Sequence, residues 1–79
     1  MFYVYILNSL TETDRMYVGR TSDLENRLKE HNSGESIHTN KYAPWKLVTY
    51  LAFDDKEKAV AFERYLKSGS GRSFAKRHL

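Results

Sequence analysis

Seventy-nine residues suffice for one domain, taken as 1–79, and a chain of this size buries only about 60% of its unfolded surface. With no cysteine and three scattered histidines, neither disulfides nor a structural zinc site can staple it, so packing of its 41% hydrophobic residues must hold the core. No apolar run nears the roughly 18 residues of a membrane span, and residues 2–7 are too short and too alternating for a signal peptide, so a soluble, cytoplasmic protein is expected.

The net charge of +3 is unevenly spread. Arg64, Lys67, Arg72, Lys76 and Arg77 fall in an acid-free stretch that runs to Leu79, and a second acid-free stretch between Glu35 and Asp54 holds His38, Lys41 and Lys46. Two such stretches in a short chain suit either a polyanionic partner or a merely solvated surface.

In chain order, residues 2–7 read as a strand with Phe2, Val4 and Ile6 on one face and Tyr3, Tyr5 and Leu7 on the other. Residues 8–14 are turn-like, and residues 15–18 form a second strand that returns antiparallel, with Gly19 at a turn. Ser22 and Glu25 form a capping box that opens a helix, which Gly34 closes. A polar loop over 35–44 leads to a third strand over 45–53, on which Leu47, Thr49, Leu51 and Phe53 alternate with Val48, Tyr50 and Ala52. Asp54 or Asp55 caps a helix over 56–67, and Ser68-Gly69-Ser70-Gly71 reads as a flexible break before a short C-terminal helix. The order β-β-α-β-α, plus the terminal piece, predicts an α+β fold: a small, mainly antiparallel three-stranded sheet flanked by helices.

Some residues strain a purely structural account. The core stripe of the first helix is Leu24, Arg27, Leu28 and His31, which places a guanidinium and an imidazole where apolar groups belong. Arg27 either lays its stem on the core edge with its head in water or serves a site. Glu63 flanks the apolar stripe of Ala59, Phe62 and Leu66, where a carboxylate is either ion-paired or holds a cation. Tyr3, Tyr5 and Tyr17 stand on adjacent strands, so that the phenols would converge near Arg27, His31 and Glu63.

Tyr3-Val4-Tyr5 and Tyr17-Val18-Gly19, with eleven residues between Tyr5 and Tyr17, resemble the two strand motifs that name the GIY-YIG nuclease superfamily. Arg27, ten residues after Tyr17, is similar to the family arginine, and Glu63 to its metal-binding glutamate. Arg20 and His31 match a basic residue and a helix histidine of some members, and the ending Leu66 to Arg72 resembles short, single-domain bacterial members. Tyr3 stands in place of the first motif's glycine and Val18 in place of the second motif's isoleucine. Some members place an asparagine late in the chain, but none follows Asn40 here.

The resemblance implies a metal-dependent endonuclease that hydrolyses DNA, with a role in repair or recombination. Catalytic residues would be Tyr5, Tyr17, Arg27, His31 and Glu63. One carboxylate suffices for Mg²⁺ or Mn²⁺, which keeps several waters and accepts phosphate oxygens, so Glu63 would hold a single ion. Arg27 offers a fork of donors to phosphate. Tyr5 would be the base, its pKa lowered by Arg20, Arg27 or a protonated His31, with Tyr17 as its partner and His31 as a proton relay. Arg20, Lys41, Lys46, Arg72, Lys76 and Arg77 would contact DNA phosphates, and the chain would act as a monomer. Two other functions stay open: a non-catalytic nucleic-acid binding module, and a nuclease subunit completed by a partner protein.

Overall fold

Val4, Tyr5, Ile6 and Leu7 are all essentially inaccessible, which a strand achieves only when both of its faces are covered. The computed structural model describes residues 1–36 and 39–79, and His38 lies outside them. Strand β1 (Phe2–Ser9) is the centre of a sheet ordered β2-β1-β3, with β2 (Met16–Thr21) and β3 (Trp45–Phe53) both antiparallel to it. The helices are α1 (Leu24–Ser33), α2 (Lys56–Lys67) and α3 (Gly69–His78), with a 3₁₀ turn over Asn40–Tyr42. This is the expected three-stranded α+β fold, and its sheet is antiparallel throughout.

The alternation along β1 sorts the molecule into two layers. Val4 and Ile6 face α2 and α3, where Ala59, Leu66 and Ala75 are buried and Phe53, Phe62 and Phe74 pack around them. Tyr5 and Leu7 face the other way, against Trp45, Leu24 and Leu28. Burial of these side chains from both layers supplies the driving force that the short chain needs.

Three local expectations change in the strands and the first helix, and the cap of the second helix is decided between the two residues expected. Gly19 is not at a turn: it sits within β2 opposite Tyr5, where an added Cβ would collide with the Tyr5 hydroxyl and the Tyr17 ring. The N-cap of α1 is Asp23, not Ser22, and its carboxylate accepts from the Asn26 N–H at 3.1 Å. Asp55 caps α2. Strand β3 does not alternate without interruption, because its register against β1 slips between Leu47 and Thr49. That bulge places Leu47 on the Tyr5 face while Leu51 and Phe53 take the Val4 face.

The stretch Ser68 to Gly71 is not a break. Ser68 caps α3 by accepting from the Gly71 N–H at 3.1 Å, so the glycines form the first turn of the helix. Gly71 lies against the Tyr65 carbonyl, a position closed to any side chain. The close turn between α2 and α3 folds Phe74 and Ala75 into the core.

Candidate active site

The site is assembled around the Tyr5 hydroxyl. Opposite Tyr5 on β2, Gly19 has no side chain, so the buried phenol packs across the edge strand. His31 Nε2 lies 2.8 Å from the hydroxyl, and Arg27 Nε donates to it at 3.4 Å. Both partners come from α1, one turn apart, which explains the polar residues in its apolar stripe. Arg27 Nη1 also pairs with Glu30 at 3.4 Å.

His31 is itself fixed from behind. It is fully buried, and its Nδ1 lies 2.7 Å from the hydroxyl of the equally buried Thr39. The Thr39 carbonyl accepts from Trp45 Nε1 at 2.9 Å, and Asn32 holds the Trp45 backbone through both its N–H and its carbonyl. A neutral imidazole satisfies both bonds when the Tyr5 hydroxyl donates to Nε2 and Nδ1–H donates to Thr39, with Tyr5 still accepting from Arg27 Nε. Tyr17 completes the group, its ring centroid 4.9 Å from that of His31 and 6.3 Å from that of Tyr5.

Burial dominates the electrostatics. Burial pushes the Tyr5 pKa above its usual value, against the hydrogen bond from Arg27, with Tyr17 adding to the upward push. The expected lowering by cationic neighbours is therefore overturned. Burial also lowers the His31 pKa, and the Arg27 charge lowers it further, so the imidazole is neutral at neutral pH and not the cation envisaged as a neighbour of Tyr5. The bond to Tyr5 raises the pKa of Arg27, which keeps its charge.

Glu63 approaches from the other layer, because α2 packs on the Val4 side while Tyr5 and Tyr17 face α1. At the edge strand, Arg20 Nε donates to Glu63 Oε1 at 3.3 Å and Lys67 Nζ to Oε2 at 3.0 Å. The carboxylate retains 18% exposure, and its charge reaches Tyr5, contributing slightly to the upward shift there. The expected convergence on one face is therefore not seen: Tyr5, Tyr17, Arg27 and His31 share one layer, while Glu63 and Arg20 lie in the other.

Tyr3 does not join them. It packs edge-on against Tyr50, with ring centroids 5.9 Å apart, near Leu24 and Leu28. Among the other cationic candidates, Arg72 and Lys76 line a groove beside Tyr17, and Arg77 is exposed in the last turn of α3. Lys41 stands over the Tyr42 ring at 5.6 Å, with Arg15 over the same ring at 4.5 Å. Lys46 is exposed on β3, the opposite edge of the sheet from β2. Sequence reasoning missed Thr39, Arg15 and Lys67; only Lys67 had a local signal, its spacing of four from Glu63.

A family model described as the GIY-YIG catalytic domain matches residues 1–77. The chain belongs to the GIY-YIG family. Its relatives include a UPF0213 protein of Streptococcus pyogenes serotype M3, 38% identical over 72 residues that cover 90% of this chain and 76% of the relative. A UPF0213 protein of Haloquadratum walsbyi is 39% identical over 67 residues, covering 84% and 73%. The solution NMR structure of a UPF0213 protein from Bacillus halodurans matches with a TM-score of 0.58 at 36% identity, covering 96% of this chain and 81% of that one. The GIY-YIG strands are thus β1 and β2, and a nuclease family is the frame for the site. Among the described residues, no helix is long and apolar enough to cross a membrane.

Proposed function

We propose that this GIY-YIG domain is a metal-dependent endonuclease that hydrolyses phosphodiester bonds in DNA. The observation that carries the proposal is the Tyr5 hydroxyl, held between Arg27 and His31 beside Gly19 of the edge strand. A packing tyrosine needs no such set of partners.

The donor set suits a single Mg²⁺ or Mn²⁺. Glu63 is a partly exposed carboxylate, the oxygen ligand that a hard cation requires, and it becomes available when its exchangeable partners Lys67 and Arg20 give way. No group of three or more His, Cys, Asp or Glu able to hold a metal occurs among the described residues, so water and substrate phosphate would complete the coordination. When bound, the ion supplies Lewis acidity toward the phosphate and the leaving 3′ oxygen.

The chain's own residues handle the proton and the phosphate. Water attacks phosphorus as its proton moves to Tyr5 Oη and the Tyr5 proton to His31 Nε2; the bond to the 3′ oxygen breaks, and that oxygen takes a proton from solvent to leave as the 3′ hydroxyl. A neutral Tyr5 and a neutral His31 are the correct starting states for this relay, and the buried imidazolium is disfavoured, so it returns the proton readily. Arg27 neutralises phosphate charge while keeping Nε on Tyr5. Tyr17, beside both His31 and the cationic groove, positions the water and the strand.

One observation favours a second function. The paired state of Glu63 also fits a non-catalytic nucleic-acid binding module, in which the carboxylate only braces Arg20 and Lys67. Labelled duplex, branched and single-stranded DNA, incubated with pure protein and Mg²⁺, Mn²⁺ or EDTA, separates the two. Metal-dependent cleavage that Tyr5→Phe removes supports the enzyme; binding without cleavage under every condition supports the module.

A further inference from the structure

Along the free edge of β2, a groove of about 530 Å³ runs against α3 beside Tyr17. Lys67, Arg72 and Lys76 line it together with Arg15, against a single carboxylate, Asp14. A space of this size holds a ligand of small-molecule dimensions, on the scale of one or two nucleotides. Charge and volume together fit the phosphates of one nucleic-acid strand.

Lys67 belongs to both the groove and the metal ligand, since its Nζ lies 3.0 Å from Glu63 Oε2. Its side chain is half exposed, so the pair is weak and exchanges readily. Lysine is suited to such an exchange, being a point charge on a flexible stem. Arg20 occupies the other carboxylate oxygen. With both partners in place, an approaching cation meets two positive charges and a carboxylate whose oxygens are engaged.

We propose that one strand of the substrate binds this groove through its phosphates and draws Lys67 off Glu63, so that strand occupancy opens the carboxylate to the divalent cation. The inference rests on Glu63 as the metal ligand. It makes the ion and the strand mutually reinforcing ligands: the phosphate recruits Lys67, and the freed Glu63 carboxylate would be open to the cation.

The test measures Mn²⁺ binding by electron paramagnetic resonance. The protein is taken with and without a hydrolysis-resistant phosphorothioate oligothymidylate, and the oligonucleotide's own Mn²⁺ binding is subtracted. Wild-type protein should bind Mn²⁺ more tightly with the oligonucleotide. Lys67→Met should bind the ion about two- to fivefold more tightly without it, and should lose most of the oligonucleotide's effect. The double variant Arg72→Gln, Lys76→Gln should keep the wild-type affinity without oligonucleotide but respond less to its addition. Glu63→Gln should lose the ion in every case. Should Glu63→Gln bind Mn²⁺ like the wild type, the metal assignment falls and the coupling with it. If Glu63→Gln loses the ion while Lys67→Met behaves like the wild type with and without oligonucleotide, the coupling is overturned and the metal assignment stands.

Discussion

His31 Nε2 lies 2.8 Å from the Tyr5 hydroxyl, an interaction between buried groups 26 residues apart that fastens the first helix to the central strand. It makes Tyr5 a structural residue, and under the proposed function a chemical one as well. Tyr5→Phe should leave Nε2 buried without a partner, at a cost of about 1–3 kcal/mol. Removal of the relay should also slow cleavage by about 10²- to 10⁴-fold. Thermal melting and a single-turnover cleavage assay measure the two effects separately; wild-type cleavage by Tyr5→Phe would remove Tyr5 from the chemistry.

The same pair sets a pH window for stability. The folded pKa of His31 is lowered, so below its ordinary value of 6.5 the unfolded chain binds a proton that the folded chain resists, and stability falls as the medium is acidified. The folded pKa of Tyr5 is raised, so above its ordinary value of 10.0 the unfolded chain releases a proton that the folded chain keeps, and stability falls again. Stability should therefore be greatest between these limits. Denaturation midpoints across pH check this, and His31→Gln should flatten the acid side relative to wild type.

Gly19→Ala tests how the phenol is placed. Its Cβ would overlap the Tyr5 hydroxyl and the Tyr17 ring, so both must move. Such overpacking costs about 1–3 kcal/mol. Cleavage should fall further than stability does, because the hydroxyl is pushed off Arg27 and His31. A crystal structure or nuclear magnetic resonance shifts of the His31 ring would report the displacement, and unchanged shifts would show that Tyr5 has room to spare.

The basic C-terminal region cannot be tested by deletion, since α3 places Phe74 and Ala75 in the core. Charge removal is the suitable route. Arg72→Gln, Lys76→Gln and Arg77→Gln together should keep the fold and weaken duplex binding. The slope of log K against log salt should become shallower by about 0.9 for each phosphate that the variant no longer neutralises. An unchanged slope would place these side chains outside the interface.

Much of this architecture was legible in the sequence, for reasons of local physics. The period-two alternation of β1 assigned each face correctly, and the helix spacing of Leu24, Arg27, Leu28 and His31 placed two polar groups on the buried side of α1. What escaped depends on interactions between distant residues. The bulge in β3 has no signature in its own sequence, and the glycines at 69 and 71 resemble a flexible linker until Gly71 is seen against the Tyr65 carbonyl. Thr39 gains its role only because the loop brings it behind His31. The direction of the Tyr5 shift could not be deduced from its cationic neighbours, because burial outweighs them.

The central claim is that Glu63, braced by Arg20 and Lys67, is the residue that holds the catalytic ion, and Glu63→Gln tests it most directly. Each of these partly exposed pairs contributes at most about 1 kcal/mol, so the variant should remain folded. Its melting temperature should fall by no more than about 16 °C, since the two pairs together contribute at most about 2 kcal/mol and about 1 kcal/mol shifts a domain of this size by roughly 4–8 °C. The decisive measurement is Mg²⁺- and Mn²⁺-dependent cleavage of labelled DNA by folded Glu63→Gln protein, with DNA binding measured in parallel. Cleavage should be abolished and DNA binding retained; metal-dependent cleavage at the wild-type rate would contradict the assignment.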